Sequence, residues 1–285
     1  MRSKLFVPAS RADFFHKALA SDADALSFDL EDSVEESRKA EARAALASFL
    51  ASPDLQTNGG KRLIVRINAS TTPHFEADVE AVTLPTLDTV NLPMVERESE
   101  VHELARLLDR FEARRGLTRP IGILVNIESP RGLRRAADLA NCHPRVNGLQ
   151  IGYGDLFGPA GIDPTDPDAS QHVRLQVRLA AAEGRVAAYD GAHTNIRDLE
   201  GFRRSCAAAA RLGFAGKSCI HPTQIIAANE IFRPDPAAVA HARRVVAAAN
   251  DHLARGVGAF SVDGQLIDGP LIDRARLLLA QVDGA

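Results

Sequence analysis

The sequence predicts an α/β fold: a (β/α)8 TIM barrel carrying a C-terminal helical extension. Three observations lead there. Eight short apolar runs recur along the first 222 residues, and amphipathic Ala-, Leu- and Arg-rich segments separate them. Repeated βα units imply a parallel sheet, and eight of them imply closure. The length of 285 residues suits one such barrel, typically about 250 residues, with an appendage. An open doubly wound sheet is the rival, but FVPASRADF after the first run has none of the glycines of a dinucleotide-binding turn.

In chain order the runs are KLFVP from Lys4, DALSFDLE from Asp24, RLIVRIN from Arg62, TVNLPM from Thr89, IGILVNIE from Ile121, NGLQIGYGD from Asn147, RVAAYD from Arg185 and GKSCIHP from Gly216. Helical periodicity is expected over residues 11–21, 36–50, 97–115, 130–140, 173–183 and 195–212. Residues 1–232 thus supply the barrel. Residues 233–285, opening with the proline-punctuated RPDPAAVAHARRVV, are surplus to eight units and read as a cap over the barrel mouth or an arm exchanged between subunits.

Composition narrows the function. With 45% hydrophobic and 25% charged residues the chain can bury a sizeable core. A net charge of −3 gives no long-range attraction to nucleic acid or an anionic membrane, so neither is an expected partner. Cys142, Cys206 and Cys219 are odd in number and widely spaced, which supports neither a disulfide framework nor a zinc motif. MRSKLFVPAS lacks a signal-peptide apolar stretch, and no run approaches ~18 apolar residues. A cytoplasmic enzyme is expected.

The strand ends carry the chemistry. Barrel enzymes place catalytic side chains at the C-terminal ends of their strands, and Glu128 and Asp155 each close an apolar run. With no His or Cys beside them, two carboxylates suit Mg2+ better than zinc, because a hard cation keeps positions open for substrate oxygens. Arg66 follows four apolar residues in RLIVR and either faces an anion at the barrel mouth or pairs a surface acid. In DLED, Asp29 and Glu31 are candidates to bind metal waters or the arginine; the alternative is acids placed at a helix N-terminus. Gly152, Gly154 and Gly158 have the wrong spacing for a nucleotide loop, and GKS at Gly216 fails as a P-loop because Arg211 stands where the first glycine belongs. His221 is a general base or a structural histidine. On spacing alone, Asp268 reads as a turn residue ahead of a helix.

Together RSKLFVPASR, ALSFDLEDSV, VRIN, NIESPRGL, GLQIGYGDL, GFAGKSCIHPTQI and GAFSVDGQLID resemble the citrate lyase β-subunit-like branch of the HpcH/HpaI aldolase family. The likeness spans nearly the whole chain. It implies a magnesium-dependent barrel enzyme acting on an acyl-CoA thioester and a 2-oxo acid, with citramalyl-CoA or malyl-CoA cleavage favoured. Citryl-CoA cleavage within a citrate lyase complex, a malate synthase-like or thioesterase reaction and a non-catalytic acyl-CoA-binding subunit are the alternatives. By position the resemblance makes Glu128 and Asp155 metal ligands, with Glu128 also touching substrate. It makes Arg66 the residue contacting the oxo acid and Asp268 an acid acting across a subunit boundary. Arg2, Arg11 and Lys17 fall near the CoA-bearing substrate. A homotrimer or hexamer follows from the same likeness. Two departures stand out: Ala9, where relatives carry glycine, is expected to shift the first loop, and Met94 removes a positive charge from the fourth strand end.

Overall fold

The computed structural model describes residues 1–57, 59–253 and 258–283. All eight expected runs form strands: β1 (Ser3–Pro8), β2 (Ala25–Asp29), β3 (Arg62–Arg66), β4 (Thr89–Leu92), β5 (Gly122–Ile127), β6 (Val146–Ile151), β7 (Ala187–Asp190) and β8 (Gly216–Cys219). They pair in parallel in sequence order, and Ser3 opposite Lys217 closes β1 onto β8. Alternation divides each strand between two surroundings. Leu5, Val7, Phe28, Val65, Val90, Val125 and Leu149 face the helices and join one continuous apolar core. Burying each such side chain is worth roughly 1.5–3 kcal/mol, so this layer drives closure.

The other face of the strands lines the barrel, and it is unusually polar. Lys4 lies opposite Ser218, Phe6 opposite Ser27, Arg66 opposite Asn91, and Asn126 opposite Gln150. Lys4 Nζ, Ser27 Oγ, both amide atoms of Asn91, Asn126 Oδ1, Gln150 Oε1 and Ser218 Oγ are buried without a protein hydrogen-bond partner. Barrel interiors are ordinarily packed with branched apolar side chains. Here that filling gives way to amides, hydroxyls and an amine beneath the mouth.

The helices of this unit are α1 (Phe15–Leu19), α2 (Lys39–Leu50), α3 (Phe75–Val82), α4 (Glu98–Arg115), α5 (Pro130–Arg134), α6 (Ala136–Asn141), α7 (Tyr153–Phe157), α8 (Pro167–Glu183), α9 (Leu199–Arg211) and α10 (Pro222–Ile231). Two expectations are corrected. The helix expected over 130–140 breaks at Arg135, whose φ of −106° and ψ of 11° leave the helical region. NGLQIGYGD is not strand to its end: β6 stops at Ile151, and Asp155 rides on the short turn α7.

Contacts group the chain into two compact units, Met1–Phe232 and Arg233–Ala285. The second contains α11 (Pro236–Leu253), a hairpin of β9 (Phe260–Val262) and β10 (Gln265–Ile267), and α12 (Gly269–Asp283). It is therefore not purely helical. Asp263 and Gly264 take φ of 52° and 79°, the left-handed pair that a two-residue hairpin turn requires. Val245, Ala249, Phe260, Val262, Ile267 and Ile272 form its own core. Residues 254–257 and 284–285 of the expected extension lie outside the described residues. No described helix is long and apolar enough to cross a membrane.

Candidate active site

Arg66, at the end of β3, is the hub of the barrel mouth. Its Nε and Nη2 donate to the two carboxylate oxygens of Asp29 at 2.7 and 2.8 Å, a bidentate grip that fixes the guanidinium plane. Nη1 lies 2.8 Å from Glu31 Oε2 and 3.4 Å from Asp32 Oδ2. The Glu31 contact is an ion pair without hydrogen-bond alignment, and Oε2 has no hydrogen-bond donor. Phe6 stands 5.4 Å from the guanidinium carbon.

Sequence-local chemistry builds the DLED loop. Asp29 ends β2 and accepts from the backbone N–H groups of Glu31 and Ser33. Lys39 on α2 donates to the carbonyls of Leu30 and Glu31, and Asn68 donates to Leu30 while bonding Asp78. Burial would push Asp29 upward, but the bonds from Arg66 outweigh it and hold the group below the usual carboxylate range. Glu31 goes the other way. Burial, opposed by Arg66 and reinforced by neighbouring acids, pushes it to about 8.

Glu128 directly follows β5 and is 2% exposed. Its Oε1 accepts the Met94 backbone N–H at 2.6 Å, and its Oε2 accepts from Asn126 Nδ2 at 3.3 Å. The next residues of NIESPRG fix this corner. Ser129 caps α5 by accepting from the Gly132 N–H, Pro130 occupies the first turn, and a Cβ on Gly132 would fall 2.6 Å from the Val95 carbonyl oxygen. Burial raises the Glu128 carboxyl to about 7; the Met94 bond and Arg66 oppose this, and Asp155 and Asp32 add to it.

Asp155 is exposed on α7, and its carboxyl is raised by burial and by Asp32, with Arg66 opposing. A Cβ on Gly152 would lie 2.3 Å from Glu128 Oε2, so only glycine lets the backbone leading to Asp155 touch the Glu128 carboxylate. Asp32 escaped the sequence reading, although its signal was present as the third acid of DLED.

The remaining candidates fall elsewhere. Arg2 sits at the N-terminal end of β1, where its backbone N–H, Nε and Nη2 all bond Asp24 at 2.7 to 2.9 Å. That is the opposite end of the barrel from Arg66, so the assignment of Arg2 to substrate is corrected. Arg11 follows β1 on the mouth side, pairs with Asp13 and lies 3.9 Å from the Phe14 ring; Lys17 is exposed on α1. Asp268 belongs to the second unit, exposed just ahead of α12, where its carbonyl accepts from Leu271 and Ile272. His221 caps α10 by accepting from the Thr223 N–H, which is the structural reading. Ala9 is 1% exposed, its φ is not positive, and its N–H donates to the Asp29 carbonyl, so this position does not need glycine. Met94 does the opposite: its φ is 54°.

Among the described residues no three His, Cys, Asp or Glu side chains stand close enough to cage a metal alone. The donor set nevertheless fits magnesium, which takes one or two carboxylates and completes its shell with water and substrate oxygens. Burial lifts Glu31, Glu128 and Asp155 together, and Asp32 lifts each further. A divalent cation would relieve that repulsion.

Residues 2–222 match the family described as HpcH/HpaI aldolase/citrate lyase. The chain belongs to this family. It is 34% identical over 288 residues to citrate lyase subunit beta of Escherichia coli (strain K12), covering 99% of this chain and 93% of that one. It is 32% identical over 303 residues to L-malyl-CoA/beta-methylmalyl-CoA lyase of Cereibacter sphaeroides (strain ATCC 17029 / ATH 2.4.9), covering 99% and 94%. Among solved members of the family, CitE from Mycobacterium tuberculosis in complex with magnesium, acetoacetate and coenzyme A superposes with a TM-score of 0.76 at 33% identity, covering 99% of this chain and all of that one. The family relationship thus spans both units of the chain.

Proposed function

We propose that this chain is a magnesium-dependent carbon–carbon lyase. Its substrate is a 3-hydroxy-3-carboxyacyl-CoA, (3S)-citramalyl-CoA or malyl-CoA, and its products are acetyl-CoA and a 2-oxo acid, pyruvate or glyoxylate. The observation that carries this reading is the meeting of Arg66, Glu128 and the Asp155 turn at the C-terminal ends of β3, β5 and β6.

Glu128 and Asp155 would hold the ion, which when bound supplies Lewis-acid stabilisation of negative charge on substrate oxygens. Asp29 fixes the Arg66 guanidinium through Nε and Nη2, and Nη1, which faces Glu31 and Asp32, would exchange those acids for the carboxylate or carbonyl of the oxo acid. Arg11 and Lys17, cations on the mouth side, attract the CoA phosphates. As the bond breaks, the substrate hydroxyl gives up its proton to water at the barrel mouth and becomes the carbonyl of the oxo acid, while the bonding electron pair stays on the acetyl carbon as a thioester enolate. Asp268, or a water it orients, protonates that carbon, reaching it from a neighbouring copy in a homotrimer or hexamer.

A second reading, citryl-CoA cleavage as one subunit of a citrate lyase complex, is favoured by the likeness to citrate lyase subunit beta. It uses the same site, and a requirement for a carrier partner would decide for it. Replacing Glu128 by Gln or Asp155 by Asn should remove both cleavage and magnesium binding, whereas Asp268→Asn should stop turnover and spare metal binding. Equal loss of metal binding in all three would sink the division of roles.

A further inference from the structure

We propose that Tyr153 is a positioning residue for the metal site, a tether that sets the angle of the Asp155 turn by bonding a buried charge cluster outside the barrel. The inference rests on the reading of Asp155 as a magnesium ligand.

The turn needs an external anchor. Helix α7 spans only Tyr153–Phe157, and a single turn has no stability of its own in water. Three of its side chains are buried: Tyr153, Leu156 and Phe157. The last two make apolar contacts, which hold a turn in place without fixing its rotation. Tyr153 adds direction. Its hydroxyl donates to Asp190 Oδ1 at 2.7 Å, and Asp190, at the end of β7, is wholly buried.

Two further elements hold Asp190 in turn. Arg174 on α8 donates from Nε and Nη2 at 3.1 and 3.2 Å, and Lys217 on β8 donates at 2.5 Å while also bonding the Gly191 carbonyl at 2.6 Å. Arg174 Nη2 continues to Ser205 Oγ on α9 at 2.8 Å. Burial would push Asp190 upward; Lys217 and Arg174 outweigh it and keep the carboxyl below its usual range, so it remains an ionised acceptor. The GKS tripeptide that fails as a phosphate loop therefore supplies this node through Lys217. Gly191 makes room for the ring, since a Cβ there would fall 2.6 Å from Tyr153 Cδ2 and 2.7 Å from the Ile151 carbonyl oxygen.

The cluster takes no part in the proposed chemistry, and Tyr153 is its direct link to the turn that carries Asp155. Ligand-orienting partners of this kind typically change metal affinity 10- to 100-fold when removed. Tyr153→Phe deletes one oxygen and leaves Asp190 paired with both cations, so the variant should fold.

The test is calorimetric titration of magnesium into the full chain with pyruvate present, together with the magnesium dependence of turnover. Tyr153→Phe should weaken magnesium binding about 10-fold while kcat at saturating magnesium changes less than threefold. Arg174→Lys, which keeps the cation but loses the two-pronged grip, should weaken it in the same direction. Phe157→Leu, on the same turn but outside the hydrogen bonds, should lower thermal stability without moving magnesium affinity. Wild-type magnesium affinity in Tyr153→Phe, or an equal loss in Phe157→Leu, would overturn the tether. Unchanged binding in Asp155→Asn would instead overturn the ligand assignment, and the proposal with it.

Discussion

The backbone N–H of Met94 donates to Glu128 Oε1 at 2.6 Å from a left-handed conformation, φ 54°. A residue with a Cβ pays roughly 1–2 kcal/mol to sit there, and the geometry it gains is a fixed carboxylate at the barrel mouth. The position was singled out in the sequence for a lost charge; its structural role is a main-chain donor.

Met94→Gly is accordingly expected to keep activity within a few-fold and to keep stability within about 1 kcal/mol, because relieved strain offsets the added chain entropy. Met94→Pro lacks the donor and cannot adopt the angle, and should lose at least 100-fold in kcat/KM. Steady-state kinetics with thermal denaturation separates the two; equal behaviour would contradict the donor role.

Arg66→Lys retains a cation but cannot span both oxygens of Asp29. A loss of about 100-fold in kcat/KM is expected, equivalent to ~2.7 kcal/mol, with magnesium binding preserved. Near-wild-type kinetics would show that the fixed guanidinium plane is dispensable.

The raised acids predict the pH behaviour of the metal-free protein. Glu31 and Glu128 move from the ordinary 4.5 to about 8 and about 7. The folded state therefore holds protons that the unfolded state releases, and their contribution to stability is full below 4.5 and lost as pH rises through about 7 and about 8. With chelator, the melting temperature should fall between pH 5 and pH 8. Magnesium should restore more stability at pH 8 than at pH 6. A chelator effect independent of pH would contradict the charged cluster as the binding site.

Lys4 tests the polar interior. Its amine is 1% exposed, has no hydrogen-bond partner and lies 4.7 Å from the Phe6 ring; burial, then Arg66, holds its pKa well below normal. Replacing an unpaired buried polar group by an apolar one of similar length is neutral to stabilising, so Lys4→Met should raise the melting temperature. A clear drop would mean that the amine has a strong partner.

The barrel was legible because eight short apolar runs are separated by amphipathic helical segments, and because Arg66 and Glu128 each end such a run with a charge. Asp155 was identified but misplaced on a strand, since GYGDL extends the apolar run and a five-residue turn leaves no periodicity to read. Asp32 was hidden because three acids ahead of a helix also satisfy its dipole. Arg2 looked available because nothing local in the sequence marks Asp24, 22 residues on, as its partner. The hairpin at Asp263–Gly264 had a readable signal, Asp-Gly between the short runs FSV and QLI, which the expectation of a helical tail obscured.

Mass-spectrometric analysis of products from citramalyl-CoA, malyl-CoA and citryl-CoA, each with magnesium and with chelator, tests the lyase reaction most directly. Acetyl-CoA and the matching 2-oxo acid are expected from citramalyl-CoA or malyl-CoA only when magnesium is present. No cleavage of any of the three by protein that binds magnesium, or cleavage undiminished by chelator, would contradict the proposed function.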